Sequence, residues 1–113
     1  MHVRERLLRM IEEIDGMDVV GQTGSVLEAC ELVARLRPDA ALLDVRLADG
    51  NSFAVLAAIR KSEIAPRVIM MSQNPFAQYR SEALRLGAAY FFDKSKEFEK
   101  IVPALILIKA QCQ

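Results

Sequence analysis

Residues 40–50 read AALLDVRLADG, and this stretch decides the fold. Apolar residues on consecutive positions predict a strand over about 39–44 that is covered on both faces, as in a parallel sheet flanked by helices. The strand ends on Asp44, and Asp49-Gly50 follows as a turn signal. A carboxylate is costly at the end of a buried strand unless that end is wet or faces a cation. Taken alone, Asp44 could simply bond loop N–H groups, so the rest of the chain has to supply its partners.

Two other stretches have the same character. RVIMMS, 67–72, is a second two-sided apolar strand and ends on Ser72. AYFFDK, 89–94, is a strand of aromatic and alternating character that ends on Asp93-Lys94. Helices are expected between them. Val3, Leu7, Leu8, Ile11 and Ile14 recur at spacings of one helix face and predict a helix over 3–14. A short strand at about 17–21 follows a turn. Ser25 and Glu28 form the S-x-x-E capping box of a second helix, which Pro38 stops. Ser52 can cap a third helix, FAVLAAIRKS. Asn74-Pro75 can open a fourth, with Gly87 at its end. The last helix is expected over 97–110, with Pro103 tolerated in its first turn. This alternation is that of one doubly wound α/β domain with a parallel sheet, spanning 1–113, although it opens on a helix and not on a strand.

Composition removes several classes of function. Fifteen Lys and Arg balance fifteen Asp and Glu. Neither nucleic acid nor an anionic membrane would therefore exert a bulk electrostatic pull. No apolar run approaches the ~18 residues of a membrane span. Cys30 and Cys112 form no metal-ligand or CxxC pattern, and lone thiols suit a reducing cytoplasm. His2, the only histidine, stands without companion ligands.

In an open parallel sheet, ligands bind beyond the carboxyl ends of the strands. The groups expected there are Asp44, Ser72 and Lys94: an acid, a hydroxyl and an ammonium. Such a set can handle a phosphoryl group, with a carboxylate nucleophile, a hydrogen-bond donor and a cation that offsets developing charge. No Gly-rich phosphate loop or G-K-[ST] is present, which weakens a third reading as a small nucleotide or phosphometabolite enzyme.

With these groups in this order, the chain resembles the receiver domains of bacterial two-component response regulators. The stretch from VRERLLRM through LLDVRLADGNSF resembles the segment from the first helix to the phosphorylation loop, RVIMMSQN the fourth strand, and LGAAYFFDKS the segment carrying the lysine. The resemblance implies a flavodoxin-like fold and a phosphorelay role, not an enzyme. It implies that Asp44 is the phosphoacceptor, that the Ser72 hydroxyl bonds the phosphoryl oxygens, that Lys94 pairs with Asp44 or its phosphate, and that Phe91 is the switch aromatic. The implied partner is a histidine kinase or phosphotransfer protein in the cytoplasm.

One departure matters. Members of that family open on an apolar strand ending in two acids, which help to hold Mg²⁺. Here MHVRERL already reads as the first helix, so the strand and its acidic pair are expected to be absent. Mg²⁺ takes about six oxygens, and Asp44 with the Arg46 carbonyl would supply only part of that set. Weak or no Mg²⁺ binding and slow phosphorylation are expected. Because the family's strand order is 2-1-3-4-5, the gap falls inside the sheet, and a homodimer covering it is expected. The alternative function is a docking or dimerisation module independent of phosphorylation. No output segment is expected beyond residue 110, and Ile101, Val102, Leu105, Ile106, Leu107 and Ile108 exceed one core-facing stripe, which suggests a contact patch on the last helix.

Overall fold

The computed structural model describes residues 3–47, 50–61, 66–73 and 77–111. The expectations for His2, Cys112, the Asn74-Pro75 helix start and Asp49 lie outside these residues.

The helices are α1 (Val3–Glu12), α2 (Val26–Leu36), α3 (Phe53–Arg60), α4 (Ala77–Arg85) and α5 (Ile101–Gln111). The strands are β1 (Ala40–Asp44), β2 (Arg46–Leu47), β3 (Gly50–Asn51), β4 (Arg67–Ser72) and β5 (Tyr90–Asp93). A 3₁₀ turn, Phe98–Lys100, leads into α5, and Pro103 falls in the first turn of α5, where its missing N–H has no helical partner to lose. β1, β4 and β5 form a three-stranded parallel sheet in the order β1-β4-β5. β2 and β3 form a small antiparallel ribbon within the β1–α3 connection.

The two-sided apolar strands are explained by two separate cores. On one face Leu43, Val68, Met70 and Phe91 pack with Ala29 of α2, Val55, Leu56 and Ile59 of α3, and Ala83 of α4. On the other, Ile69, Met71 and Phe92 pack with Ile101, Ala104, Leu105 and Ile108 of α5 and with Leu7, Met10 and Ile11 of α1. Successive residues of β4 thus feed opposite cores, each buried side chain contributing ~1.5–3 kcal/mol. The apolar excess of α5 is also accounted for: Ile101, Ala104, Leu105 and Ile108 face inward, while Ile106 and Leu107 remain about half exposed.

The expected strand at 17–21 does not form. These residues are irregular, with Val19 and Val20 exposed. Met17 packs with the α1–α5 core, whereas Gly21 lies against Leu32 and Leu36 of α2 on the opposite side. The physical reason is that a strand is not a local structure: its backbone groups need a neighbouring ladder, and residues 17–21 do not reach the free edge of β1, the one ladder beside them among the described residues. The outer edge of β1 is open for the same reason. Arg67 N–H donates to the Asp39 carbonyl and Val45 N–H to the Met71 carbonyl. Odd-numbered residues of β1 therefore face β4, and the main-chain groups of Ala40, Leu42 and Asp44 point outward.

Caps are assigned differently from expectation in one place. Ser25 accepts from Glu28 N–H at 3.3 Å, as the capping box requires, while Ser25 N–H donates to Thr23 Oγ1 at 3.2 Å. Arg37, with φ 47°, ends α2 ahead of Pro38, and Gly87, with φ 100°, follows α4. Ser52, however, makes no side-chain cap on α3. Its hydroxyl donates to the Asp44 carbonyl, and Asn51 Oδ1 takes the capping role by accepting from Phe53 N–H at 3.1 Å. Serine can satisfy a local backbone group by either route, and a fully buried hydroxyl beside an outward carbonyl satisfies both groups at once. Ser52→Ala is expected to cost about 1–2 kcal/mol in urea denaturation, and Asn51→Ala about 0.5–1.5 kcal/mol, because one removes a buried hydrogen bond and the other a helix cap. A neutral Ser52→Ala would contradict this assignment.

Candidate functional site

The parallel register carries three strand ends to one rim. Asp44 lies opposite Met71, and Ser72, the next residue, lies opposite Asp93. Two main-chain bonds continue the ladder past the strands: Val45 N–H to the Met71 carbonyl at 2.9 Å, and Lys94 N–H to the Ser72 carbonyl at 2.9 Å. The β1–α3 loop is anchored in the same way, through the Ser52 hydroxyl on the Asp44 carbonyl and Ser52 N–H on the Val45 carbonyl at 2.9 Å.

On this frame Lys94 Nζ reaches Asp44 Oδ2 and forms an ion pair. The Lys94 side chain is only 12% exposed and that of Asp44 35%. The ammonium is thus largely enclosed by protein, while the carboxylate keeps access to solvent. Ser72 is buried and sits between them in the strand order. Phe91 is brought to the sheet but not to this rim. It is 2% exposed in the α2–α4 core, with the Arg80 guanidinium 5.4 Å from its ring centroid.

Asp93 takes no part in the rim. Its Oδ1 accepts from Ser95 N–H at 2.8 Å, Ser95 Oγ at 2.7 Å and Lys96 N–H at 3.3 Å, which closes the turn after β5. The Ser95 hydroxyl, then the Ser95 amide, hold the Asp93 carboxyl below its ordinary range. Beyond it, Glu97 Oε1 accepts from Asp93 N–H at 3.1 Å and from Arg80 Nη2 at 3.2 Å, and Glu97 Oε2 from Lys100 Nζ at 2.9 Å. Lys100 is the largest influence holding Glu97 below the usual Glu range.

The described residues do not fit a divalent cation. A hard ion wants several oxygens. The rim offers one carboxylate, Asp44, already paired with Lys94, and Asp93 is turned into its own loop. Among the described residues no group of three or more His, Cys, Asp or Glu side chains could hold a metal. Sequence reasoning missed Asn51, Ser95 and Glu97, and it gave Ser52 a different role, that of helix cap. Asn51, two residues before Phe53, and Ser95, two after Asp93, carry the spacing of Asx-type turns and could have been found; Glu97 carries no such signal.

Because Asp93 titrates low, its contribution to stability is present above the ordinary Asp range and is lost only as pH falls through the lowered value. Ser95→Ala is expected to move the Asp93 carboxyl carbon titration upward, toward the ordinary Asp value. An unchanged titration would contradict the assigned cause.

Comparison with known proteins agrees with this geometry. The family model for the response regulator receiver domain matches residues 1–106. The probable transcriptional regulatory protein NarL of Mycobacterium tuberculosis is 33% identical over 103 residues, covering 91% of this chain and 48% of that protein. The sensory transduction protein LytT of Bacillus cereus is 27% identical over 113 residues, covering 100% of this chain and 45% of that protein. The chain spans about half the length of these curated relatives. Among solved structures, the signal receiver domain of the putative response regulator NarL from Mycobacterium tuberculosis is 33% identical with a TM-score of 0.84, covering 94% of this chain and 86% of that one. The response regulator domain of Thermotoga maritima CheB is also 33% identical, with a TM-score of 0.78, covering 95% and 85%. Among the described residues no helix is long and apolar enough to cross a membrane. With a parallel sheet whose strand ends bring a carboxylate, a buried serine and an ion-paired lysine to one rim, and with a family match over nearly its whole length, this chain belongs to the response regulator receiver domain family of two-component signalling.

Proposed function

We propose that Asp44 is the phosphoacceptor of this receiver, that Ser72 donates its hydroxyl to the transferred group, and that Lys94 neutralises it. In this step an Asp44 carboxylate oxygen attacks phosphorus. The O–P bond forms as the N–P bond of a phosphohistidine breaks, and the departing imidazole takes up a proton. The donor would be a histidine kinase or a phosphotransfer protein. The single observation supporting this reading is the Lys94–Asp44 ion pair at the rim beside Ser72. A cation held against the nucleophile offsets the repulsion between a carboxylate and an incoming phosphoryl group.

We also propose that transfer is slow. A bound metal ion supplies several kcal/mol of charge stabilisation in such reactions, and the described donor set does not fit one. Lys94 is left as the rim cation, a partial substitute. Incubation with phosphoramidate and Mg²⁺, followed by intact mass, is expected to give a species one phosphoryl heavier at least ~10²-fold more slowly than a metal-assisted receiver. Asp44→Asn should abolish that species. Fast conversion would overturn the impairment, and conversion unchanged by Asp44→Asn would overturn the assignment of the acceptor.

A second reading is favoured by the open edge of β1. In it the domain works as a phosphorylation-independent dimerisation module, with a second copy covering that edge. The outward main-chain groups of Ala40, Leu42 and Asp44 map onto themselves under a two-fold axis through Leu42, so two copies can exchange hydrogen bonds there, the Asp44 carbonyl using the lone pair that Ser52 does not occupy. Proline at residue 40 removes an outward N–H without touching the β1–β4 ladder. A dimer in light scattering at low micromolar concentration, lost in Ala40→Pro, is expected. A compact monomer would exclude this reading.

A further inference from the structure

Glu97 does more than pair with surface cations. Its carboxylate accepts from α4 through Arg80, from the main chain through Asp93 N–H, and from Lys100. Its own N–H donates to the Asp93 carbonyl at 2.8 Å. One residue therefore grips both main-chain groups of Asp93, the residue directly before Lys94. On its other side Lys94 is held by its N–H on the Ser72 carbonyl. The backbone from which the ammonium reaches Asp44 is thus set by Ser72 and Glu97 together. At the far end of the link, Arg80 bonds Glu97 and lies over the buried Phe91 ring.

An exposed ion pair taken alone contributes little, and Arg80 is 48% exposed. Glu97 is only 21% exposed and shares the same oxygen between Arg80 and a strand-end amide. Displacing that oxygen must disturb the Arg80 bond and the Asp93 bond together.

We infer that Glu97 is a positioning residue that couples the hold of Lys94 on Asp44 to the seating of α4 against Phe91. The inference deepens the reading of the Asp44–Lys94 rim but needs no phosphoryl transfer, so it can fail or hold independently of the acceptor's chemistry. Loss of the ion pair frees Lys94, relaxes the Asp93–Glu97 contacts, and loosens Arg80 on α4. A change at the rim is thereby delivered to the outer surface of α4.

The test is a cycle read by amide hydrogen exchange over Gln78–Arg85 in the full chain. Lys94→Met is expected to change exchange in α4 by about fivefold or more in the wild-type background, the lower end of ordinary coupling between sites, and by less than about twofold when Glu97→Ala is already present. Arg80→Ala, at a largely exposed position, gives a second background that cuts only the α4 arm and should also silence the response. Glu97→Gln keeps an acceptor for Asp93 N–H and should restore part of it. An equal response in the wild-type and Arg80→Ala backgrounds would overturn the coupling, as would no response to Lys94→Met in wild type.

Discussion

The ion pair between Lys94 and Asp44 is the interaction on which the site depends. Neither residue could stand where it does alone. An ammonium enclosed to this degree needs a counter-charge, and a carboxylate closing a buried strand needs a cation or water. Their meeting is arranged by the main chain. Parallel pairing of β1, β4 and β5 brings three strand ends level, and the Val45–Met71 and Lys94–Ser72 bonds extend the ladder by one residue on each side. The pair reads out the sheet register: a shift of one residue in either strand would turn one partner into a core.

The same sheet explains the two weaknesses of the molecule. Both faces are covered by helices, so the apolar strands are well used, but the outer edge of β1 has no strand partner among the described residues. The rim inherits that asymmetry. Lys94 approaches from the β5 side, and on the other side the described residues add no second carboxylate. Among the described residues the arrangement holds a carboxylate next to a cation but does not build a divalent-ion site. Among the described residues the ion-paired cation at this rim is Lys94, whose backbone is steadied by Ser72 and Glu97.

Much of this was legible in the sequence, for identifiable reasons. The stretches ending in Asp44, Ser72 and Asp93-Lys94 are apolar on consecutive positions and then abruptly polar, so both the strands and their polar ends stood out. Pro103 and Gly87 marked their helix ends because their backbone preferences leave few alternatives. The segment at 17–21 misled because MDVV has strand character, yet pairing depends on a neighbour that composition does not reveal. Ser52 misled because a serine before a helix has two local partners available, and burial at the Asp44 carbonyl favoured the less common one. Glu97 was invisible because its three donors come from α4, the end of β5 and the 3₁₀ turn, which only the fold assembles.

The central claim is that Asp44 and Lys94 interact directly across the rim. A double-mutant cycle in urea denaturation, with Asp44→Asn, Lys94→Met and the pair, measures that interaction without any assumption about phosphorylation. For a pair whose cation is largely enclosed and whose carboxylate is partly exposed the account predicts a coupling energy of about 1–2 kcal/mol, between the values of exposed and buried pairs. Additivity within about 0.5 kcal/mol would mean that the two side chains do not meet, and the account of the site would fail with it.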